Sequence, residues 1–219
     1  METLEYLEEI HGSNPDSAVI WLHGLGADGH DFKPIVEQLE LPDHVNIHFI
    51  FPHAPVQPVT LNQGISMNSW YDIYQLSIDA KEDEKGINES MQTLEALVTT
   101  KFAHLDSNKI LLAGFSQGGA LALHTLLHGN LEFGGLIALS AYLPLRDKLQ
   151  QAKRIPKEIF MAHGILDETL PIYVAELARD ILTDFGIKVD WHSYPMAHQL
   201  CIEEIKDIRA YILNCLTSR

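Results

Sequence analysis

Cysteine occurs only twice in the 219 residues, and Lys and Arg together number 15 against 30 Asp and Glu, a formal net charge of −15. No apolar stretch approaches the roughly 18–20 uninterrupted residues of a membrane span. No repeat, low-complexity tract or long linker breaks the chain. Each shortage excludes something. Two cysteines build no disulfide framework. Cys201 and Cys215 both read into a C-terminal helix, roughly 21 Å apart at about 1.5 Å per residue, beyond disulfide reach. Neither has a helix-start setting that would lower its pKa, and two free thiols fit a reducing cytoplasm. The deficit of cations argues against nucleic acid, whose phosphates require a surplus of Lys and Arg, and against anionic lipid. The opening residues Met1-Glu2-Thr3-Leu4-Glu5 lack the basic and apolar regions of a signal peptide.

What is present is globular. An apolar fraction of 46% is too high for a disordered chain. A chain of this length is expected to fold as one domain, residues 1–219, with a sizeable core. Short apolar runs at 17–22, 45–51, 109–114, 133–140, 158–163 and 189–194 read as buried strands. Between them, helical spacing or composition predicts helices at 33–41, 88–103, 118–128, 173–185 and 198–216, with Gly186 closing the fourth. Residues 53–74 read as a long irregular excursion, of a length that is usually functional. The alternation predicts an α/β fold with a mostly parallel sheet and helices on both faces. Ligands of such sheets bind beyond the C-terminal strand ends.

After the predicted strand 109–114 comes Gly114-Phe115-Ser116-Gln117-Gly118-Gly119, then a helix. This is G-x-S-x-G in the strand–turn–helix context that the motif needs. A tight turn lifts the serine oxygen above the sheet, and glycines on either side make room for it. A serine alcohol needs a base, and the base needs an orienting acid. Asp167 follows the strand 158–163 and His198 follows the strand 189–194, so both fall on the same sheet edge as Ser116. A lone Asp in a turn is ordinarily a cap, and a lone His at a helix start is ordinarily structural. Three such residues in the order Ser, Asp, His at successive strand ends reverse that weighting. Glu168 is the closest rival for the acid.

Acyl transfer also needs N–H donors for an oxyanion. The backbone of Gln117 supplies one. The loop His23-Gly24-Leu25-Gly26-Ala27-Asp28-Gly29 is expected to supply the other from Leu25. Its glycines have dinucleotide-like spacing, but the acidic residue that should follow on the next strand is missing, and the helix starts late. His124 and His128 lack the glutamate of H-E-x-x-H and read as packed or surface residues, so no metal is expected. The acidic run Asp79-Ala80-Lys81-Glu82-Asp83-Glu84-Lys85 reads as a solvated loop. Leu61, Ile65, Met67 and Trp70 are candidates for an acyl-chain wall, with ordinary loop packing the alternative.

These blocks, together with Met67-Asn68-Ser69-Trp70-Tyr71-Asp72 and Tyr194-Pro195-Met196-Ala197-His198, resemble the phospholipase/carboxylesterase family of α/β-hydrolases. That family includes acyl-protein thioesterases and bacterial carboxylesterases. The resemblance spans nearly the whole chain. It implies an α/β-hydrolase fold without a separate lid domain, a Ser116–His198–Asp167 triad, oxyanion donors at Leu25 and Gln117, and no cofactor. It implies a small or lipid-like acyl ester substrate or an acylated protein, and homodimers in several bacterial members. Long-chain variants of the same chemistry would be lysophospholipase or protein depalmitoylase activity. A catalytically silent binding scaffold is the alternative of another class, which typically loses triad members. Two departures flank the site: Ala197 stands where family members commonly have glycine, and Thr169 lies where aliphatic residues are usual.

Overall fold

The structure is a computed structural model that describes residues 4–75, 77, 80–156 and 158–217. Residues 1–3 and Asp79 of the acidic run lie outside that set. Seven strands form the main sheet: β1 Tyr6–His11, β2 Ser17–Leu22, β3 Ile47–Pro52, β6 Ile110–Phe115, β7 Gly135–Leu139, β8 Glu158–Gly164 and β9 Lys188–Tyr194. Their order is β1-β3-β2-β6-β7-β8-β9. The neighbours from β3 to β9 are parallel, and β1 runs antiparallel along the edge of β3.

Strand alternation divides the core. Ala18, Ile20 and Leu22 of β2 face α3 (Glu84–Phe102), α4 (Gln117–His128) and α5 (Ile172–Asp184). Val19 and Trp21 face the other way, toward α2 (Ile35–Gln38) and α6 (Ile202–Thr217). Both faces are covered, which is why these strands read as continuous apolar runs. The predicted C′ role of Gly186 is realised at φ +95: its N–H bonds Thr183 O at 2.9 Å and the Ile187 N–H bonds Leu182 O at 3.0 Å.

Several expectations are corrected. Within the helix predicted over 33–41 only the one-turn α2 forms, and a separate one-turn helix, α1 Gly29–Phe32, precedes that range, because Pro34 has no N–H to carry the ladder across. The helix predicted from 198 begins at Ile202, leaving His198 in a tight turn where the Gln199 N–H bonds Ala197 O at 2.9 Å. Cys201 therefore precedes α6 instead of lying in it; neither cysteine is in a disulfide among the described residues, and burial pushes the Cys201 thiol up. Residues 53–74 are not irregular throughout. They contain an antiparallel hairpin, β4 Val56–Val59 with β5 Ile65–Asn68, closed by a 3₁₀ turn at Thr60–Asn62. The acidic run is more than a solvated loop. Asp83 caps α3 by accepting the Gly86 N–H at 3.0 Å and accepts the Asp72 N–H at 3.0 Å, while Glu82 accepts the Leu145 N–H at 2.8 Å.

Candidate active site

The turn between β6 and α4 sets the geometry. Ser116 has φ +55 and ψ −120, a conformation a side chain rarely takes. It is held there by its N–H on Leu139 O at 2.8 Å and by the Ala120 N–H on its own carbonyl at 3.0 Å. The glycines are required by close approach. A Cβ at Gly114 would lie 2.3 Å from Gly118 O, and one at Gly118 would lie 2.4 Å from Leu22 O. The turn thus packs directly on the end of β2, where the loop 23–29 begins.

That loop is fixed by side chains. His23 is fully buried; its Nε2 accepts the Ala54 N–H at 3.0 Å, so its proton sits on Nδ1 and is donated to Gly24 O at 2.7 Å. Burial pushes its pKa down, in keeping with that neutral tautomer. Trp70 Nε1 donates to His23 O at 2.8 Å, and the Gly26 N–H bonds Asn68 O at 2.8 Å. Leu25 is held between these anchors. Gln117 is the first residue of α4, where helix geometry leaves N–H groups without an internal partner. Its side chain, 1% exposed, donates to Tyr71 O at 2.7 Å and accepts the Trp70 N–H at 3.0 Å.

Asp167 lies in the turn after β8 and is 5% exposed. Its Oδ1 accepts the N–H groups of Thr169 at 2.9 Å and Leu170 at 2.8 Å. Its Oδ2 accepts from His198 Nδ1 at 2.6 Å. The rival Glu168 is exposed. The ring of His198 also rests on Phe115, with centroids 4.7 Å apart.

Leu25, Ser116, Gln117 and His198 all line one open cavity of about 730 Å³, with Phe32, Leu61, Ile73 and Leu170 among its walls. Among the described residues, Asp31 is the one acidic residue in that lining, and no Lys or Arg is there. A second cavity of about 360 Å³, walled by Tyr173, Val174, Leu177 and Ile181, shares Ile73, Tyr142, Thr169 and Leu170 with the first. Of the four proposed wall residues, only Leu61 lines the cavity. Trp70 is a correction: it is 2% exposed and tied to the His23 carbonyl, so it is core. Ile65 is 63% exposed on the hairpin and faces solvent. Met67 packs below the loop, with its sulfur accepting from Asn62 Nδ2 at 3.2 Å. Sequence reasoning missed Ile73, Tyr142, the Gln117 amide and the buried His163. The last could have been noticed from its position four residues before Asp167.

Asp28, His30 and His53 offer ligand atoms within 4.8 Å of one another. One polar atom of each is already engaged. Asp28 Oδ1 accepts the His30 N–H at 2.7 Å and bonds His30 Nδ1 at 2.8 Å, and His53 Nδ1 accepts the Gly29 N–H at 3.2 Å. The cluster caps α1 and fits a metal poorly. His124 is a packed residue, stacked on His128 with centroids 4.7 Å apart and bonded to Asn88 Oδ1 at 3.1 Å.

The profile of the Phospholipase/Carboxylesterase family matches residues 9–216. Acyl-protein thioesterase 1 of Yarrowia lipolytica is 38% identical over 201 residues, 88% of each chain. Acyl-protein thioesterase 1 of Neurospora crassa is 36% identical over 215 residues, 91% of this chain and 87% of that protein. Among solved structures, Arabidopsis thaliana SOBER1 matches with a TM-score of 0.85 at 28% identity, covering 92% of this chain and 99% of that one. Zea mays acyl-protein thioesterase 2 matches at 0.83 and 26%, covering 96% and 99%. With its parallel sheet, its serine on a strained strand–helix turn and these relatives, the chain is a serine hydrolase that belongs to the phospholipase/carboxylesterase family of α/β-hydrolases.

Proposed function

We propose that the chain, acting as one domain, hydrolyses carboxyl esters or thioesters through Ser116, His198 and Asp167. His198 Nε2 takes the proton of Ser116 Oγ as the oxygen attacks the substrate carbonyl. Asp167 holds the imidazole in the required tautomer through the bond at 2.6 Å and stabilises its cation. The backbone N–H groups of Leu25 and Gln117 bind the oxyanion. The proton then passes from His198 to the departing alcohol or thiol. Water, activated by the same histidine, releases the acid from the acyl-enzyme. The observation that carries this reading is the buried Asp167 bonded to a His198 that shares one cavity with Ser116. A fluorophosphonate probe should label wild type at Ser116, and Ser116→Ala should abolish both labelling and p-nitrophenyl ester turnover. Full turnover in that variant would sink the assignment.

The second cavity favours a long acyl chain over a short one. It is apolar along Val174, Leu177 and Ile181, its lining also includes Asp72, Lys81, Glu82, Asp83, Arg146 and Glu168, and it shares Ile73 and Leu170 with the first. Together with relatives named as acyl-protein thioesterases, this supports a lysophospholipid or acylated protein as substrate. An acyl series from two to sixteen carbons, on esters and thioesters, should peak at the long end; a peak at two to four carbons would refute it. Two cysteines without a disulfide among the described residues support a reducing compartment, and no helix among those residues is long and apolar enough to cross a membrane.

A further inference from the structure

We infer that His163 is a second histidine on the Asp167 carboxylate, a positioning residue that orients it and tempers its pull on the His198 proton. This rests on the proposed roles of Asp167 and His198. His163 stands one residue before the end of β8, with a side chain that is wholly inaccessible to solvent. Its Nε2 lies 2.7 Å from Leu170 O. A carbonyl only accepts, so Nε2 carries the ring proton. The other nitrogen, Nδ1, is buried and has no partner among the described residues. A proton there would face nothing that accepts it, so the ring stays neutral in a single tautomer, and burial pushes its pKa down in the same sense.

The same Nε2 lies 3.4 Å from Asp167 Oδ2, the oxygen that accepts from His198. The contacts close a ring. His163 Nε2–H binds Leu170 O, Leu170 N–H binds Asp167 Oδ1 at 2.8 Å, and Asp167 Oδ2 faces His163 Nε2 again. The imidazole therefore fixes the turn that aims the carboxylate, and the positive end of its N–H dipole lies beside that carboxylate's charge. A carboxylate partly offset in this way stabilises a neighbouring imidazolium less. His198 then gives its proton to a leaving group more readily than it would beside an uncompensated carboxylate. The titratable groups facing His163 are Asp167, His198 and, from α5, Glu176.

The test compares three variants of the full chain. His163→Gln places an amide N–H the same number of bonds from Cβ as Nε2. His163→Asn carries the same amide one methylene short. His163→Phe keeps a ring and has no donor. For Gln, kcat and the pH profile should stay near wild type. For Asn and Phe, kcat should fall at least about 10-fold with KM within about twofold. In both, the acid limb of kcat/KM should move up by about half a pH unit or more. If Phe does not fold, the Asn and Gln pair decides. Lost activity without a moved acid limb, a downward move, or wild-type behaviour in Asn would each overturn the inference. His198→Ala is run alongside. If it remains active, the proposed roles of His198 and Asp167 fail; if it is dead while Asn behaves as wild type, only the role of His163 fails.

Discussion

Replacing Gln117 by Met keeps the side-chain length and removes the amide, leaving the backbone N–H in place. The amide donates to Tyr71 O at 2.7 Å and to Ser69 Oγ at 3.0 Å, and accepts the Trp70 N–H at 3.0 Å. Ser69 Oγ also donates to Tyr71 O at 2.6 Å, so that carbonyl keeps a partner in the variant. The Trp70 N–H has no such second partner and is orphaned in the core. One orphaned buried N–H costs about 1–3 kcal/mol, and the lost net bond about 1 kcal/mol more, for a total of about 2–4 kcal/mol. For a chain of this size each kcal/mol moves Tm by about 2–4 °C, so Tm should fall by about 4–16 °C. Activity at 25 °C should fall by less than about 10-fold, since the N–H at the proposed oxyanion position remains and only its anchoring loosens. Thermal unfolding followed by circular dichroism, with ester turnover on the same sample, reads both quantities. A Tm within about 1 °C of wild type would refute the reasoning. So would a loss of turnover beyond about 1000-fold at unchanged Tm, which would mean that the amide itself touches the reaction.

Glu95 should matter for stability and not for chemistry. Its carboxylate accepts the backbone N–H groups of Asn130 and Leu131 after α4, so Glu95→Ala should cost about 3 kcal/mol in urea unfolding with unchanged kcat in the folded fraction. Equal stability of that variant would contradict the assignment. Glu204 on α6 is fully buried, and burial, outweighing a backbone contact from Cys201, pushes it up to about 8 from an ordinary 4.5. The folded chain holds a proton there that the unfolded chain releases. Its contribution is therefore present below about pH 4.5 and lost as pH rises through about 8. Glu204→Gln should match wild type near pH 4.5 and become progressively more stable than it toward pH 8, as read by unfolding at several pH values; parallel curves would count against the buried acid.

The sheet, its alternation with helices and the order of site residues were legible because buried strands announce themselves as apolar runs ending in glycine or proline. What escaped had weaker local signals. β1 is an edge strand with alternating half-exposed residues, Tyr6-Leu7-Glu8-Glu9-Ile10-His11, and its pairing with β3 is a tertiary fact. The hairpin in 53–74 hid behind Pro58, which an edge strand tolerates opposite Ser66. Leu61 and Trp70 are both apolar residues of one segment, yet one lines the cavity and the other is core. Periodicity cannot separate them, because what decides is a hydrogen bond to the distant carbonyl of His23. The roles of His163 and the Gln117 amide escaped for the same reason, since each acts through partners brought in from other strands.

The strand order has a consequence for how the molecule is made. β2 lies between β3 and β6, and Ala18 pairs with Ile110 although about 90 residues separate them. That pairing is the one that brings the loop after β2 against the serine turn. Closing a loop of that length is slow, and parallel pairing gives no local hairpin to seed it. During synthesis the serine turn therefore has no finished partner until β6 docks, and His198, near the far edge of the sheet, arrives later still. A nascent chain would carry the Ser116 alcohol for many residues before the proposed base could activate it, so the cell would meet the hydrolase only once the sheet is complete.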